Sequence, residues 1–206
     1  MIDFPILSLM TFLPLVGALF IFTIRGEQEI VDRNARFAAL YTSIFCFALA
    51  VYMMGRFDPA SPNFQFVEFY SWLPHQYIGY HMGVDGISLF FVVLAAFLTP
   101  VCILASWKSI KTRVKEYMVA FLVLETMMIG TLCALDAVLF YVFFEGVLIP
   151  MFIIIGVWGG ARRVYSASRQ EREQARQRAH ARRVVRGAAA AVLEPQGRLV
   201  ARLADG

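Results

Sequence analysis

The stretch FYVFFEGVLIPMFIII, residues 140 to 155, contains one charged residue, Glu145, in an otherwise apolar run. The hydrocarbon layer of a bilayer is about 30 Å thick, and an α-helix needs about 20 apolar residues to cross it. Extended in both directions, the apolar run covers residues 137–158. The stretch therefore predicts a membrane-spanning helix that carries a carboxyl group near its middle.

The composition of the whole chain supports the same conclusion. Of its 206 residues, 59% are hydrophobic and 15% aromatic, values outside the usual range for soluble domains. Four further segments have the length and composition of spans: residues 4–24, 37–55, 86–106 and 117–135. We predict an all-α fold, a polytopic integral membrane helix bundle of about five transmembrane helices.

The basic residues of the loops predict the orientation, because Lys and Arg accumulate in cytoplasmic loops. The loops after the first and third spans are basic, whereas Arg56 alone lies between the second and third. The first span opens with Asp3 instead of a basic region, so we expect it to remain as an anchor and not to be a cleaved signal peptide. The N-terminus is predicted outside and the chain after about residue 158 in the cytoplasm.

Residues 166–206 differ in kind from the preceding chain, since they are rich in Arg and Ala and contain no aromatic residue. Such a segment cannot bury a core, and we expect a disordered cytoplasmic tail. At most, residues 168–186 would form a surface helix on anionic lipid headgroups. Nucleic-acid binding is disfavoured because there are no aromatic side chains to stack on bases.

Two carboxyl groups lie inside predicted spans, Glu125 in the fourth and Glu145 in the fifth. A charged residue at the bilayer centre costs about 2.5–3.5 kcal/mol, so it is expected only where it faces protein or water. Each lies ten residues from Leu135, near the turn, which predicts equal depth in an antiparallel hairpin. Helix rotation decides whether they face each other. Such groups suit proton exchange, and the alternative is a protonated Glu that only joins two helices by a hydrogen bond.

A proline, an aspartate and the three cysteines can each be explained by a structural role. Pro150 deprives the Gly146 carbonyl of its helical partner beside Glu145, which either helps to hydrate the carboxyl group or only kinks the helix. Asp85 suits the N-cap of the third span, with Ser88 three residues later. The three cysteines stand apart from one another and are interpreted as small packing residues, so no metal site is predicted.

The motifs GVDGISLFFVVL, LETMMIGTLCALD and FFEGVLIPMFIIIGVWGG together resemble the N-terminal part of the subunit M family of proton-pumping NADH:quinone oxidoreductase, respiratory complex I. The resemblance covers residues 1 to about 165. It implies an antiporter-like subunit of a cell inner membrane, with the other membrane-arm subunits, protons and the lipid bilayer as partners. It also implies that Glu145 and Glu125 take part in proton translocation. The NAD, FMN, iron–sulfur and quinone sites are expected in other subunits, with no cofactor in this chain.

The chain also departs from that family, whose members continue with further helices and carry lysine partners on later ones. Here the Arg/Ala tail follows, which we attribute to a frameshift in GC-rich DNA; the alternative is a short subunit whose other helices are encoded separately. Two other functions stay open at this point. One is a subunit of a multisubunit sodium/proton antiporter or membrane-bound hydrogenase, and the other is an inactive structural membrane fragment.

Overall fold

The computed structural model describes residues 5–61, 63–71 and 79–159. In these ranges the chain forms five helices and one two-stranded antiparallel hairpin. In chain order they are α1 (Ile6–Thr23), α2 (Gln28–Arg56), β1 (Gln65–Ser71), β2 (Gly79–Val84), α3 (Gly86–Ser106), α4 (Val114–Cys133) and α5 (Ala137–Trp158).

The predicted five-helix membrane bundle is confirmed, since all five helices are long and apolar enough to cross a membrane. Helices α3 and α5 have the bounds of the predicted spans, whereas α2 begins well before residue 37. The hairpin was not predicted from the sequence. The chain divides into two compact units after Ile154, and of the second the structure describes only the last residues of α5 and Gly159. The predicted tail, residues 166–206, lies outside the described residues.

Helices α1 to α4 pack together, with α2 and α4 in contact and α1 and α3 each touching both. The face that α2 buries carries mostly small side chains at intervals of three or four residues: Ala35, Ala39, Ser43, Cys46 and Ala50. Small side chains let membrane helices approach closely, and dispersion then replaces the hydrophobic effect as the main attraction. At Gly17 of α1, an added Cβ would lie 2.6 Å from the Thr42 side chain of α2, so only glycine fits this contact.

Helix α5 packs against α4 through a second pair of close contacts. The Phe143 ring lies over Gly130, and the Met127 side chain lies against Gly146. Both pairs have the register of an antiparallel helical hairpin. The turn between the helices is ordered by Asp136, whose Oδ1 accepts hydrogen bonds from the Val138 and Leu139 amides at 2.8 and 3.0 Å.

The outer surface of the bundle is apolar, as a lipid-facing surface requires. Large hydrophobic side chains on α1, α3 and α5 are more than half exposed, among them Leu19, Phe90 and Ile149. In water such a surface would be unfavourable, because about 25 cal/mol is lost for each Å² of apolar area left exposed. The distribution of exposed side chains therefore agrees with a multi-pass membrane protein.

The hairpin lies at the end of the bundle where α1 and α3 begin and α4 ends. Met82 pairs with Ala134 after α4, and the Leu135 amide donates a hydrogen bond to the His81 carbonyl at 2.9 Å. The register of β1 against β2 shifts between Gln65 and Glu68, where Phe66 has φ of 54°. Such a bulge re-aims the following side chains, and here it precedes Glu68.

Candidate functional site

Glu125 lies in the middle of α4 and is completely buried, with 0% of its surface exposed. Neither of its carboxyl oxygens has a hydrogen-bond partner within the described ranges. A buried ionised carboxylate without a partner is strongly unfavourable, so the group is neutral here unless a proton acceptor or a cation reaches it. This arrangement suits a group that binds and releases a proton.

The thiol of Cys46 on α2 lies close to the Glu125 carboxyl group, although no hydrogen bond of ordinary geometry joins the two. Cys46 is also fully buried, and its Sγ donates a hydrogen bond to the Met10 carbonyl of α1 at 3.6 Å. The interpretation of Cys46 as a packing residue is therefore incomplete, because its thiol joins two helices next to the buried carboxyl group. Cys133 is buried in the core as well, whereas Cys102 is exposed.

Two buried hydroxyl groups lie next to Met10 and Glu125 in the sequence. Thr11 follows Met10, and Thr126 follows Glu125; both side chains are buried. Their oxygens have no hydrogen-bond partner among the residues that the structure describes. Among those residues, no group of three His, Cys, Asp or Glu side chains could hold a metal ion.

Glu145 lies in α5, next to the contact between Gly146 and Met127, and its side chain is partly buried. The register of α4 against α5 places Glu145 level with residue 128. This is three residues, or about 4.5 Å along the axis, from the level of Glu125. The two carboxyl groups thus differ in depth by less than one helical turn. Pro150 is buried within α5, five residues further along.

The rotation of α4 separates the two carboxyl groups, a point that the sequence left open. Successive residues are about 100° apart around a helix, so Glu125 is about 160° from Met127 and about 140° from Gly130. The latter two contact α5, whereas Glu125 interacts with Cys46 on α2. Glu125 therefore lies on the side of α4 that faces α2, away from α5, the helix that carries Glu145.

An apolar groove of about 320 Å³ lies between α3, α4 and α5. Thr131 is the one polar residue of its lining, and its hydroxyl already donates to the Met127 carbonyl at 2.8 Å. Glu125 does not line this groove. The groove is thus suited to an apolar side chain or an acyl chain and not to a proton path.

At the end of the bundle that carries the β-hairpin, Glu68 binds the first turn of α1. Its carboxylate accepts hydrogen bonds from the Leu7 amide at 2.8 Å, from the Ser8 amide at 3.2 Å, and from the Ser8 hydroxyl. A carboxylate at a helix N-terminus satisfies free amides and interacts favourably with the helix dipole. Sequence analysis missed this contact, because Glu68 and Ser8 are 60 residues apart.

Tyr80 completes this cluster. Because the single hydroxyl hydrogen of Ser8 is donated to Glu68, Tyr80 must donate to Ser8 Oγ, at 2.7 Å. Burial raises the pKa of Tyr80 to about 12, and the Glu68 carboxylate adds to the rise. The phenol is therefore neutral at physiological pH, and the cluster fixes the hairpin to α1.

Asp85 caps α3 with a reciprocal pair of hydrogen bonds. Its Oδ1 accepts from the Ser88 amide at 2.7 Å, and Ser88 Oγ accepts from the Asp85 amide at 2.9 Å. These bonds to Ser88 lower the pKa of Asp85, because they favour the ionised carboxylate. The residue has a structural role, with no contact to either membrane carboxyl group in the hydrogen bonds described.

Sequence analysis also missed the contact of Lys115 with α1. Its Nζ donates to the carbonyls of Phe22 and Ile24 at 3.0 and 2.8 Å. Carbonyls at a helix C-terminus lack helical partners and attract cations. Lys115, in the first turn of α4, thus stabilises the end of α1 opposite to Glu68.

Comparison with known proteins decides the family. Residues 9–135 match the family described as NADH-ubiquinone oxidoreductase chain 4, amino terminus. The chain belongs to this family. The matched region of the chain 4 family includes Asp85 and Glu125, whereas Glu145 and Pro150 follow it.

The relatives show how much of a chain 4 protein is present. The chain is 50% identical over 163 residues to NADH-quinone oxidoreductase subunit M of Rhodobacter capsulatus, and 47% over 164 residues to NADH-ubiquinone oxidoreductase chain 4 of Marchantia polymorpha. These matches cover 79% and 80% of this chain but 31% and 32% of the relatives. The chain therefore spans about a third of their length.

A solved structure shows the same fold. A chain of respiratory complex I from Thermus thermophilus with bound NADH aligns with a TM-score of 0.63 over 78% of this chain and 31% of that chain. The sequence identity is 22%. This likeness concerns the arrangement of the helices.

Proposed function

We propose that the chain acts as part of a membrane-arm subunit of NADH:quinone oxidoreductase and takes part in proton translocation. Glu125 and Glu145 are the proton-exchanging residues in this proposal. NADH oxidation and quinone reduction would occur in other subunits of the complex, which would also hold the NAD, FMN, iron–sulfur and quinone sites. The N-terminus and the hairpin would face the outside.

The observation that carries the proposal is the complete burial of Glu125 with neither carboxyl oxygen in a hydrogen bond of ordinary geometry within the described part of the chain; the neighbouring Cys46 thiol is a weak partner at most. Burying a polar group without a partner costs about 1–3 kcal/mol by protein mutational data. A residue that only joins helices would recover this cost through a hydrogen bond. A proton-exchanging residue needs instead an unsatisfied oxygen that can meet a transient proton donor.

Glu145 has a different environment, which suits a second role. It is partly buried and lies in α5, the last described helix, near a face that carries exposed apolar side chains such as Phe144 and Ile149. A neighbouring subunit or helix can reach this side of the molecule without displacing α1 to α4. We infer that Glu145 exchanges its proton with a cationic partner there, and that Glu125 does so inside the bundle.

The proposal is tested in the assembled oxidoreductase that contains this chain, by recording NADH oxidation and proton uptake into proteoliposomes together. Glu145→Gln should abolish proton pumping or reduce it sharply, and Glu125→Gln should lower it about tenfold, because an amide cannot exchange a proton. Glu116→Gln provides the matched control, since Glu116 lies in the first turn of α4 and is exposed.

Full pumping in both Gln variants would contradict the assigned roles. Loss of pumping in Glu116→Gln as well would point to damaged assembly instead of lost proton exchange. The same vesicles also test the alternative ion, because transport that requires sodium and proceeds without NADH would favour a sodium/proton antiporter.

A further inference from the structure

Pro14 changes the hydrogen bonding of α1 next to Glu125. A proline inside a helix has no N–H group, so the carbonyl four residues earlier loses its usual donor. For Pro14 that carbonyl belongs to Met10, and it is this carbonyl that accepts the hydrogen bond of the Cys46 thiol. The proline thus makes one backbone acceptor available inside the bundle, and α2 supplies the donor.

The Cys46 thiol has a single hydrogen but two possible acceptors. In the structure it donates to Met10, while Glu125, the other group that interacts with the thiol, has no hydrogen-bond partner within the described residues. When Glu125 carries its proton it is uncharged, so leaving the thiol hydrogen on the Met10 carbonyl costs little. When Glu125 is ionised, a donor to the carboxylate becomes worth more, because hydrogen bonds to charged groups are roughly twice as strong as neutral ones.

We propose that Cys46 is a positioning residue for Glu125, whose thiol hydrogen turns from the Met10 carbonyl to the Glu125 carboxylate when Glu125 loses its proton. The thiol rotates about the Cβ–Sγ bond and keeps its own proton, so no bond is broken and only the exchanged proton leaves Glu125. The inference rests on the proposed proton exchange at Glu125 and adds the group that stabilises its ionised state.

The surrounding helices supply few competing titratable groups. Helix α1 contains none, and the one titratable side chain of α3, Cys102, is exposed. On α2 the tyrosines Tyr41 and Tyr52 are exposed and the charged residues lie near the two ends of the helix, which leaves Cys46 as its buried titratable residue. On α4, Cys133 and Tyr117 are buried; Cys133 interacts with Cys46, whereas Tyr117 lies in the first turn, eight residues before Glu125.

Infrared spectroscopy of the chain in lipid nanodiscs tests the inference, because the S–H stretch lies in a region free of other protein bands. With Cys102→Ala and Cys133→Ala, Cys46 is the one thiol of the chain. Across a pH titration we expect the S–H band to shift to lower frequency as the carboxylic acid C=O band of Glu125 disappears. In the same background, Glu125→Gln should remove both the C=O band and the S–H shift.

Pro14→Ala provides the second readout, because it returns an amide donor to the Met10 carbonyl and should move the S–H band of the protonated state towards that of a free thiol. Pro100→Ala, at the proline of α3, is its control and should leave the band unchanged. If the cysteine background does not fold, the difference spectrum between the unchanged chain and Cys46→Ala isolates the same band.

An S–H band that stays constant while the Glu125 C=O band titrates would overturn the inference, as would a shift that persists in Glu125→Gln. These outcomes are separate from those of the pumping assay. A constant S–H band with pumping that depends on Glu125 rejects only the role of Cys46. A shifting band with full pumping in Glu125→Gln supports the thiol switch and rejects the role of Glu125 in translocation.

Discussion

Replacement of Gly130 by alanine tests the packing that positions α5 and therefore Glu145. An added Cβ at Gly130 would lie 2.5 Å from Phe143 Cδ1 and 2.6 Å from two other ring atoms. Ordinary contacts begin near 3.4 Å, so the ring or the helix must move by about 0.9 Å. Phe143 is only 6% exposed, which leaves its ring little room to turn.

The magnitude follows from two opposing contributions. Overpacking a closely packed core costs about 1–3 kcal/mol, while alanine is favoured over glycine in a helix by about 1 kcal/mol. Gly130→Ala should therefore lower the free energy of unfolding by up to about 2 kcal/mol. Gly55→Ala is the matched control, because its Cβ would have no described atom within 4 Å and should be neutral or slightly stabilising.

The assay is reversible unfolding in mixed micelles, followed by circular dichroism, for both single variants and for Gly130→Ala combined with Phe143→Leu. The smaller side chain should relieve the overlap, so the double variant should be more stable than the sum of the single effects predicts. The reasoning is refuted if Gly130→Ala is as stable as Gly55→Ala, or if the two substitutions are additive.

Two further predictions concern the end of the bundle that carries the β-hairpin. Glu68→Ala should lower the free energy of unfolding by about 1–3 kcal/mol, because the α1 amides lose a charged acceptor. Val67→Ala, at an exposed position of the same strand, is the control. Equal losses of stability in the two variants would contradict the capping role of Glu68. For Asp85, the lowered pKa predicts a stabilising contribution that is complete above the ordinary Asp value of 3.8 and is lost as pH falls through the lower folded value. Asp85→Asn caps a helix without titrating, so acid unfolding curves of the two proteins should diverge below that pH, and parallel curves would exclude the effect.

The sequence by itself determined the five membrane helices. In a bilayer no water satisfies the backbone, so each long apolar run must form a helix that satisfies its own amides and carbonyls. Local signals were equally readable: Asp85 and Ser88 lie three residues apart, and their reciprocal bonds need no other element. Asp136 has the same kind of signal ahead of α5, although it was not recognised.

The tertiary structure alone decided which side each helix turns inwards. Helices that are apolar on nearly all sides carry no polar face to orient them, so the pattern could not place Glu125 towards Cys46 and away from α5. Close approach of small residues, such as Gly17 and Gly130, sets that rotation. The contacts of Glu68 and of the Cys46 thiol likewise join residues 60 and 36 positions away, and only the folded chain brings those groups together.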